Sequence, residues 1–310
     1  MGPVGAGMDR RSFLATGGLA LGAALAGCTG GPEDGTPGTG DTTTQPTDTG
    51  PPPASTDPPG TSPPPSTSRP PAEGLAVSDV TVGKSVRYES LMGSGGVLTD
   101  PDTQYVVASV RADTDLRETA FVLENGDRTW EPGLPDTHGA RNNSVAGHEG
   151  AAISRSPVGE EGYLAFAVPS PLTPDAPRLR ATGARTGVWP LPAAATDRLD
   201  AAAPAFALES LSVPATVAQG EPLTVDLTAR NTTDTRGRFL AAIYWPTKRI
   251  ADDDESTVLD REAAAGGTIT ASLTVGTEYT TDEAEAVTLA VDGHVSAERT
   301  VRVTDVSTPD

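Results

Sequence analysis

The chain has 310 residues, 36% hydrophobic and only 4% aromatic, with 42 acidic against 22 basic side chains and a formal net charge of −20 at pH 7. Such a balance excludes a nucleic-acid binder, which needs clustered Lys and Arg to neutralise phosphates, and removes electrostatic attraction to anionic lipid. With so few aromatics the core has to be packed from Val, Leu, Ala and Ile, and the single cysteine has no partner for an internal disulfide.

The first element in chain order is an export signal. Met8-Asp9-Arg10-Arg11-Ser12-Phe13-Leu14 opens a Gly- and Ala-rich apolar stretch that runs from Phe13 to Ala26. At about 14 residues it is too short to cross a ~30 Å hydrocarbon core as a helix, and its length and charged flank are those of a signal-peptide core. Arg10-Arg11 followed by Phe13-Leu14 resembles the twin-arginine signal of archaea and bacteria, with Asp9 in place of the commoner Ser or Thr. Met1 and Met8 are alternative starts. The stretch closes on Leu25-Ala26-Gly27-Cys28, which is similar to a lipobox: an aliphatic residue, two small residues, then the cysteine that receives lipid. The resemblance implies removal of residues 1–27, acylation of Cys28 and attachment to the extracytoplasmic face of the cell membrane. A plain signal peptide with an incidental cysteine, or an uncleaved anchor, is the competing reading.

Residues 28–73 follow as a linker, expected to be disordered. Beyond Cys28 it holds 13 of the 29 prolines, with Thr, Ser, Gly and Asp and hardly an aliphatic side chain, so it cannot bury enough apolar surface to offset its ordering entropy. Its reach lies between roughly 35–40 Å as a flexible coil and ~140 Å as extended polyproline. The Thr and Ser content resembles O-glycosylated stalks, and a bare spacer fits equally well.

After Glu73 the pattern changes to alternation, and the fold expected is all-β, two immunoglobulin-like β-sandwich modules spanning 74–192 and 204–306. In the first module strands are predicted over Leu75–Val82, Ser85–Leu91, Gln104–Ala112, Thr119–Glu124, Gly162–Val168 and Arg178–Thr182. The runs Tyr105–Val110 and Tyr163–Val168 are short, apolar and bounded by Gly, Pro and Asp, as central strands are. Asn125-Gly126-Asp127 is a hairpin turn. Glu131 to Glu161 is polar and Gly-rich and is predicted as a long loop, a length usually associated with function or disorder. Residues 193–203 form a connector, either a short helix or extended. In the second module the predicted strands are Phe206–Val213, Leu223–Arg230, Arg238–Trp245, Ser256–Leu259, Thr268–Val275, Ala286–Val291 and Val295–Val303, with Asp292-Gly293 as the last turn. Leu223, Val225, Leu227 and Ala229 alternate with Thr224, Asp226, Thr228 and Arg230, a period of two with one face inward. The passage Val213-Pro214 through Gly220-Glu221-Pro222-Leu223-Thr224-Val225, then Ala229-Arg230-Asn231-Thr232, resembles adhesion-type and surface-layer immunoglobulin-like repeats. That resemblance covers about a third of the chain and implies fold, leaving activity open. The first module loosely resembles immunoglobulin-like domains of small archaeal lipoproteins.

Only Lys84 and Lys248 are lysines, and Asp, Glu, Thr and Ala are abundant. This composition resembles halophilic archaeal proteins, whose dense carboxylates hold water while salt screens their repulsion. An ordinary acidic surface is the alternative.

Candidate chemistry is sparse. His138 and His148, with Asp136 and Glu149, put imidazole and carboxylate together, as transition metals prefer, but without a standard ligand spacing. Asp252, Asp253, Asp254 and Glu255 crowd hard oxygen donors suited to Ca²⁺ on a predicted turn, without the spaced calcium-loop pattern; a hydrated turn is the plain alternative. Ser144, Ser154 and Ser156 share the 131–161 segment with histidines, yet no nucleophile elbow surrounds them. Asn142-Asn143-Ser144 and Asn231-Thr232-Thr233 fit the N-glycosylation sequon. Trp130, Trp189 and Trp245 are read first as core anchors and second as groove aromatics. The function expected is a membrane-anchored lipoprotein with a binding, display or envelope-structural role. Its partners are the membrane through covalent lipid and an envelope protein or glycan. No cofactor is implied and no catalytic residues are assigned. The alternative is a metal-dependent enzyme, or an accessory subunit of a transport or secretion complex, using the 131–161 segment.

Overall fold

The computed structural model describes residues 74–91, 95–116, 119–135, 137, 142–248 and 254–306, with backbone alone at 142–143 and 254–255. The export signal, Cys28 and the Pro-rich linker lie outside the described residues.

The first module is built from β1 (Leu75–Gly83), β2 (Ser85–Ser90), β3 (Gly96–Thr99), β4 (Thr103–Ala112), β5 (Thr119–Asn125), β6 (Arg128–Trp130), β7 (Asn142–Val145), β8 (His148–Glu149), β9 (Glu161–Pro169), β10 (Arg178–Gly183), β11 (Gly187–Pro190) and the helix α1 (Ala193–Asp200). They form three sheets, ordered β1-β4-β9, β11-β10-β5-β6 and β3-β2-β7-β8. The β1-β4-β9 sheet is the middle layer. From one face Val106, Ala108, Val110, Leu164 and Phe166 pack on Phe121, Leu123 and Leu179. From the other, Tyr105, Val107, Tyr163 and Ala165 pack on Val86, Tyr88 and Val145. Burial on both sides explains why β4 and β9 read as near-continuous apolar runs instead of alternating ones. Each large side chain so buried contributes about 1.5–3 kcal/mol relative to exposure.

The first module is therefore a sandwich carrying an extra layer. The added sheet takes two strands, β7 and β8, from the segment predicted as a long loop. The Asn125-Gly126-Asp127 turn is a two-residue hairpin, with Asn125 opposite Arg128 and Gly126 at φ +60°, the positive φ such a turn demands. The predicted connector is in its first part helix α1. Its apolar positions Ala195 and Leu199, four apart and on one face, are buried in the core of the first module. That module thus runs to Asp200, eight residues beyond the expected boundary at 192.

The second module contains β12 (Phe206–Ser212), β13 (Thr216–Ala218), β14 (Leu223–Asn231), β15 (Gly237–Pro246), β16 (Asp254–Ala263), β17 (Thr268–Val275), β18 (Ala286–Gly293) and β19 (Ala297–Thr304). One sheet is ordered β12-β14-β17, the other β13-β19-β18-β15-β16. The first strand hands over between sheets: β12 pairs antiparallel with β14, and its continuation β13 pairs parallel with β19. This is the two-layer immunoglobulin-like arrangement. The period-two reading of Leu223 to Arg230 holds, since Leu223, Val225, Leu227 and Ala229 are all fully buried. They face Phe239, Ile243, Trp245 and Leu289 across the core. Strand β16 is longer than predicted because it pairs with β15 along its whole length, from Gly237 opposite Ala263 to Pro246 opposite Asp254.

Both modules belong to one compact unit. Val97 of β3 packs on Leu240 and Ala242 of β15, flanked by Tyr244 and Val258, and the Ser256 hydroxyl donates to the Gly95 carbonyl at 2.7 Å. Close approach depends on missing side chains. A Cβ on Gly96 would collide with the Tyr88 and Tyr244 hydroxyls, and one on Gly293 would meet the Leu240 carbonyl oxygen at 2.5 Å and Val97 at 3.1 Å. Beside this contact Lys84 is buried. Its ammonium donates to Gln104 Oε1 (2.7 Å), Ser170 Oγ (3.2 Å) and the Leu199 carbonyl (3.4 Å), tying the β1–β2 corner to the end of α1. Burial, with repulsion from Arg198, brings its pKa down to about 8.

Candidate functional site

The residues singled out in 131–161 are dispersed by the fold. His148 is 95% buried on β8, its Nδ1 3.0 Å from Ser109 Oγ on β4 and its Nε2 3.1 Å from Thr81 Oγ1 on β1. Both ring nitrogens are engaged by hydroxyls, so neither is left as a ligand or a base. Burial holds its pKa below the ordinary histidine value, and the ring works as a neutral rivet between the added sheet and the middle layer. Glu149, next on β8, is exposed, while Asp136 and His138 lie outside the described residues. Ser144 is buried on β7; Ser156 donates to the Glu161 carbonyl at 3.1 Å. The metal-dependent reading of this segment loses His148 as a ligand.

The carboxylate run fares similarly. Asp254 and Glu255 open strand β16, opposite Pro246 and Trp245, so half of the expected turn is strand; Asp252 and Asp253 lie outside the described residues. Among the described residues, no three His, Cys, Asp or Glu side chains converge as a metal site. Of the sequons, Asn142 starts β7 opposite Ser90. Asn231 is fully buried: its Nδ2 donates to the Thr235 and Ala264 carbonyls (2.8 and 3.0 Å), and its Oδ1 accepts from Thr233 N–H and O–H (3.0 and 2.7 Å). In the folded module this side chain staples a turn, and glycosylating it would require that turn to open.

Trp245 is a core anchor, fully buried with its indole N–H donating to Thr280 Oγ1 at 2.6 Å. Trp130 and Trp189 are half-buried against the core of the first module, with the Arg128 guanidinium 5.1 Å above the Trp130 ring.

A feature that sequence reading missed is a cavity of about 1020 Å³ in the first module, lined by Leu116, Phe121, Leu134, Ile153, Val158 and Tyr163 among others. Its origin is topological. Strand β6 ends at Trp130, leaving Thr119–Val122 of β5 paired on the β10 side alone. The chain then crosses to the middle layer, where the Gly133 N–H donates to the Ala165 carbonyl at 2.8 Å. Val158 stands 58% exposed at this opening. The surroundings offer apolar surface with the carboxylates of Asp115, Glu131 and Glu160 and the guanidinium of Arg155. Neither described histidine, His148 or His294, lines it. No linear motif could have announced this space, which arises from a strand that stops short.

The fold and its cavities define an all-β protein of two sandwich modules. No protein-family model and no curated protein matches the chain. Among solved structures it is similar to a β-glucosidase from Listeria innocua in complex with gluconolactone, at 19% identity and a TM-score of 0.29 over 33% of this chain and 16% of that one. It is also similar to DesR, a β-glucosidase from Streptomyces venezuelae (11% identity, TM-score 0.28, 76% of this chain and 49% of that one), and to red sea bream transglutaminase (11%, 0.26, 74% and 31%). The chain thus spans less than half the length of each of these enzymes.

Proposed function

We propose that the protein is a lipid-anchored extracytoplasmic protein of a halophilic archaeon, exported through the twin-arginine route, that holds its two β-sandwich modules out from the membrane for binding or for envelope structure. The observation that carries this reading is the placement of the sole cysteine. Cys28 closes an apolar stretch that begins beside Arg10-Arg11, and a Pro- and Thr-rich linker separates it from the first β-strand at Leu75. A twin-arginine route moves folded cargo, and two sandwiches with long-range strand pairings are cargo of that kind. A single acyl chain binds a membrane only marginally, so durable attachment calls for a lipid with more than one chain on the Cys28 sulfur.

The test is Cys28→Ser in the native host. The wild type is expected in the membrane fraction with a mass increment on Cys28 and no residues 1–27; the variant is expected in the medium or as an unprocessed precursor. An unmodified thiol on an intact leader in the wild-type protein, or an unchanged membrane fraction for the variant, rejects the anchor.

A further inference from the structure

A cleft of about 410 Å³ lies between the modules, lined by Val82, Gly83, Lys84, Ser85, Arg198, Pro204, Arg236, Arg238 and Glu262. Four of its nine lining residues are cationic, in a chain with 22 basic residues and a net charge of −20. They come from the β1–β2 corner, from α1 and from the start of β15, so the fold gathers them from three separate parts of the sequence.

Their bonding divides them. The Lys84 ammonium is held by three protein acceptors. Arg238 is clamped by Asp260 through two hydrogen bonds, one of them 2.8 Å from Nε to Oδ1. Arg198 and Arg236 are different: among the described residues neither guanidinium makes a hydrogen bond or an ion pair, although one is half-buried and the other exposed beside Glu262. Elsewhere some arginines are paired, Arg178 and Arg180 sharing Glu124 and Arg87 meeting Glu89, while Arg111, Arg155, Arg230 and Arg302 are exposed and make no ion pair among the described residues. What sets the cleft apart is that two such guanidinium groups converge there with Lys84 and Arg238, against the single lining carboxylate of Glu262. Repulsion from Arg198 is already registered by Lys84, so the cleft gains by taking up negative charge.

We propose that this cleft binds an oxyanion, with the Arg198 and Arg236 guanidinium groups as donors and Lys84 as a fixed positive charge behind them. The planar fork of Arg matches a carboxylate, sulfate or phosphate group two oxygens at a time, and a cleft between modules is a favoured place for a small-ligand site. Such a group can come free in solution or on an acidic glycan. Binding also draws the modules together, since Arg198 belongs to the first module and Arg236 to the second.

The test uses the full chain at constant ionic strength set with KCl, titrated by calorimetry with sodium sulfate and separately with a tri-galacturonate oligosaccharide. Saturable binding of either probe at one site is expected, weakened at least about tenfold in Arg198→Gln/Arg236→Gln, as loss of charge-assisted hydrogen bonds implies. Arg302→Gln, an exposed change on β19, is expected to bind as wild type. Tighter binding of the oligosaccharide, competed by sulfate, assigns the site to a glycan; binding of sulfate alone assigns it to a free anion. Sulfate stabilises most proteins by exclusion from their surfaces, so thermal protection that never saturates, or that is equal in the double variant, overturns the proposal. Absence of a heat signal together with unchanged ¹³Cε shifts at Lys84 overturns it as well. Both arginines are at least partly exposed and the variants keep their aliphatic stems, so folding is checked simply by an unchanged melting transition without ligand.

Discussion

At the scale of single residues, the buried polar groups of the first module are structural, held by hydrogen bonds between its layers and elements. His148 is neutral in the fold because burial depresses its pKa. A histidine with a lowered folded pKa contributes stability that is complete above the unfolded value near 6.5 and is lost as pH falls through the folded one, since the unfolded state then binds the extra proton. The wild type is expected to lose more unfolding free energy between pH 7 and pH 5 than His148→Gln, measured by urea denaturation; the carboxylates common to both chains cancel in the difference. Parallel pH dependence in the two proteins counts against the rivet. Gln104 gives a second case. It is fully buried, accepts from Lys84, and donates to the Pro169 and Leu199 carbonyls at 2.7 and 3.0 Å. Gln104→Leu takes one of three acceptors from Lys84 and one donor from each of the Pro169 and Leu199 carbonyls, and is expected to cost about 1–3 kcal/mol, with the Lys84 pKa falling further as an acceptor is lost.

Among elements, legibility in the sequence followed burial geometry. Strand β14 was readable residue by residue, because one face is core and the other is solvent, so Leu223 to Arg230 alternate. Strands β4 and β9 were readable as strands, but their continuous apolar runs do not reveal that two different layers cover them. Strands β7 and β8 were illegible: Asn142 to Glu149 are mostly polar, and Ser144 and His148 are buried through hydrogen bonds and pairing, which no hydropathy pattern signals. Helix α1 hid in an alanine-rich stretch where Leu199 is the lone large apolar residue. The unpaired arginines of the cleft were invisible for a similar reason, since Arg198 and Arg236 are nearly forty positions apart. Gly293 supplies an element-scale prediction. Its φ is +147° and its Cα faces the Leu240 carbonyl, so Gly293→Ala strains the end of β18 where it pairs with β15. A loss of about 1–3 kcal/mol is expected from such a strained backbone position, read by chemical denaturation. A wild-type midpoint in that variant means the junction is looser than described.

For the molecule as a whole, the charge of −20 sets the conditions under which it folds. Carboxylates outnumber their partners nearly twofold, and self-repulsion opposes compaction until salt shortens its range from ~30 Å at 0.01 M to ~3 Å at 1 M. The melting temperature is therefore expected to rise between dilute buffer and molar KCl, followed by circular dichroism. A melting temperature independent of KCl rejects the halophilic reading and leaves the acidic surface without a role in stability.

The path of β1 has a mechanical consequence. The Asp113 N–H holds the Gly74 carbonyl at one end of the strand (3.0 Å), and Lys84 holds the Leu199 carbonyl just past the other end, close to where the chain departs for the second module. A load carried between the residues preceding Gly74 and the second module therefore runs along the length of β1. Its bonds to β4 are stretched in shear, sharing the tension, and are not peeled apart in succession. A pull applied at Gly74 meets a β-ladder in the orientation where its hydrogen bonds resist together.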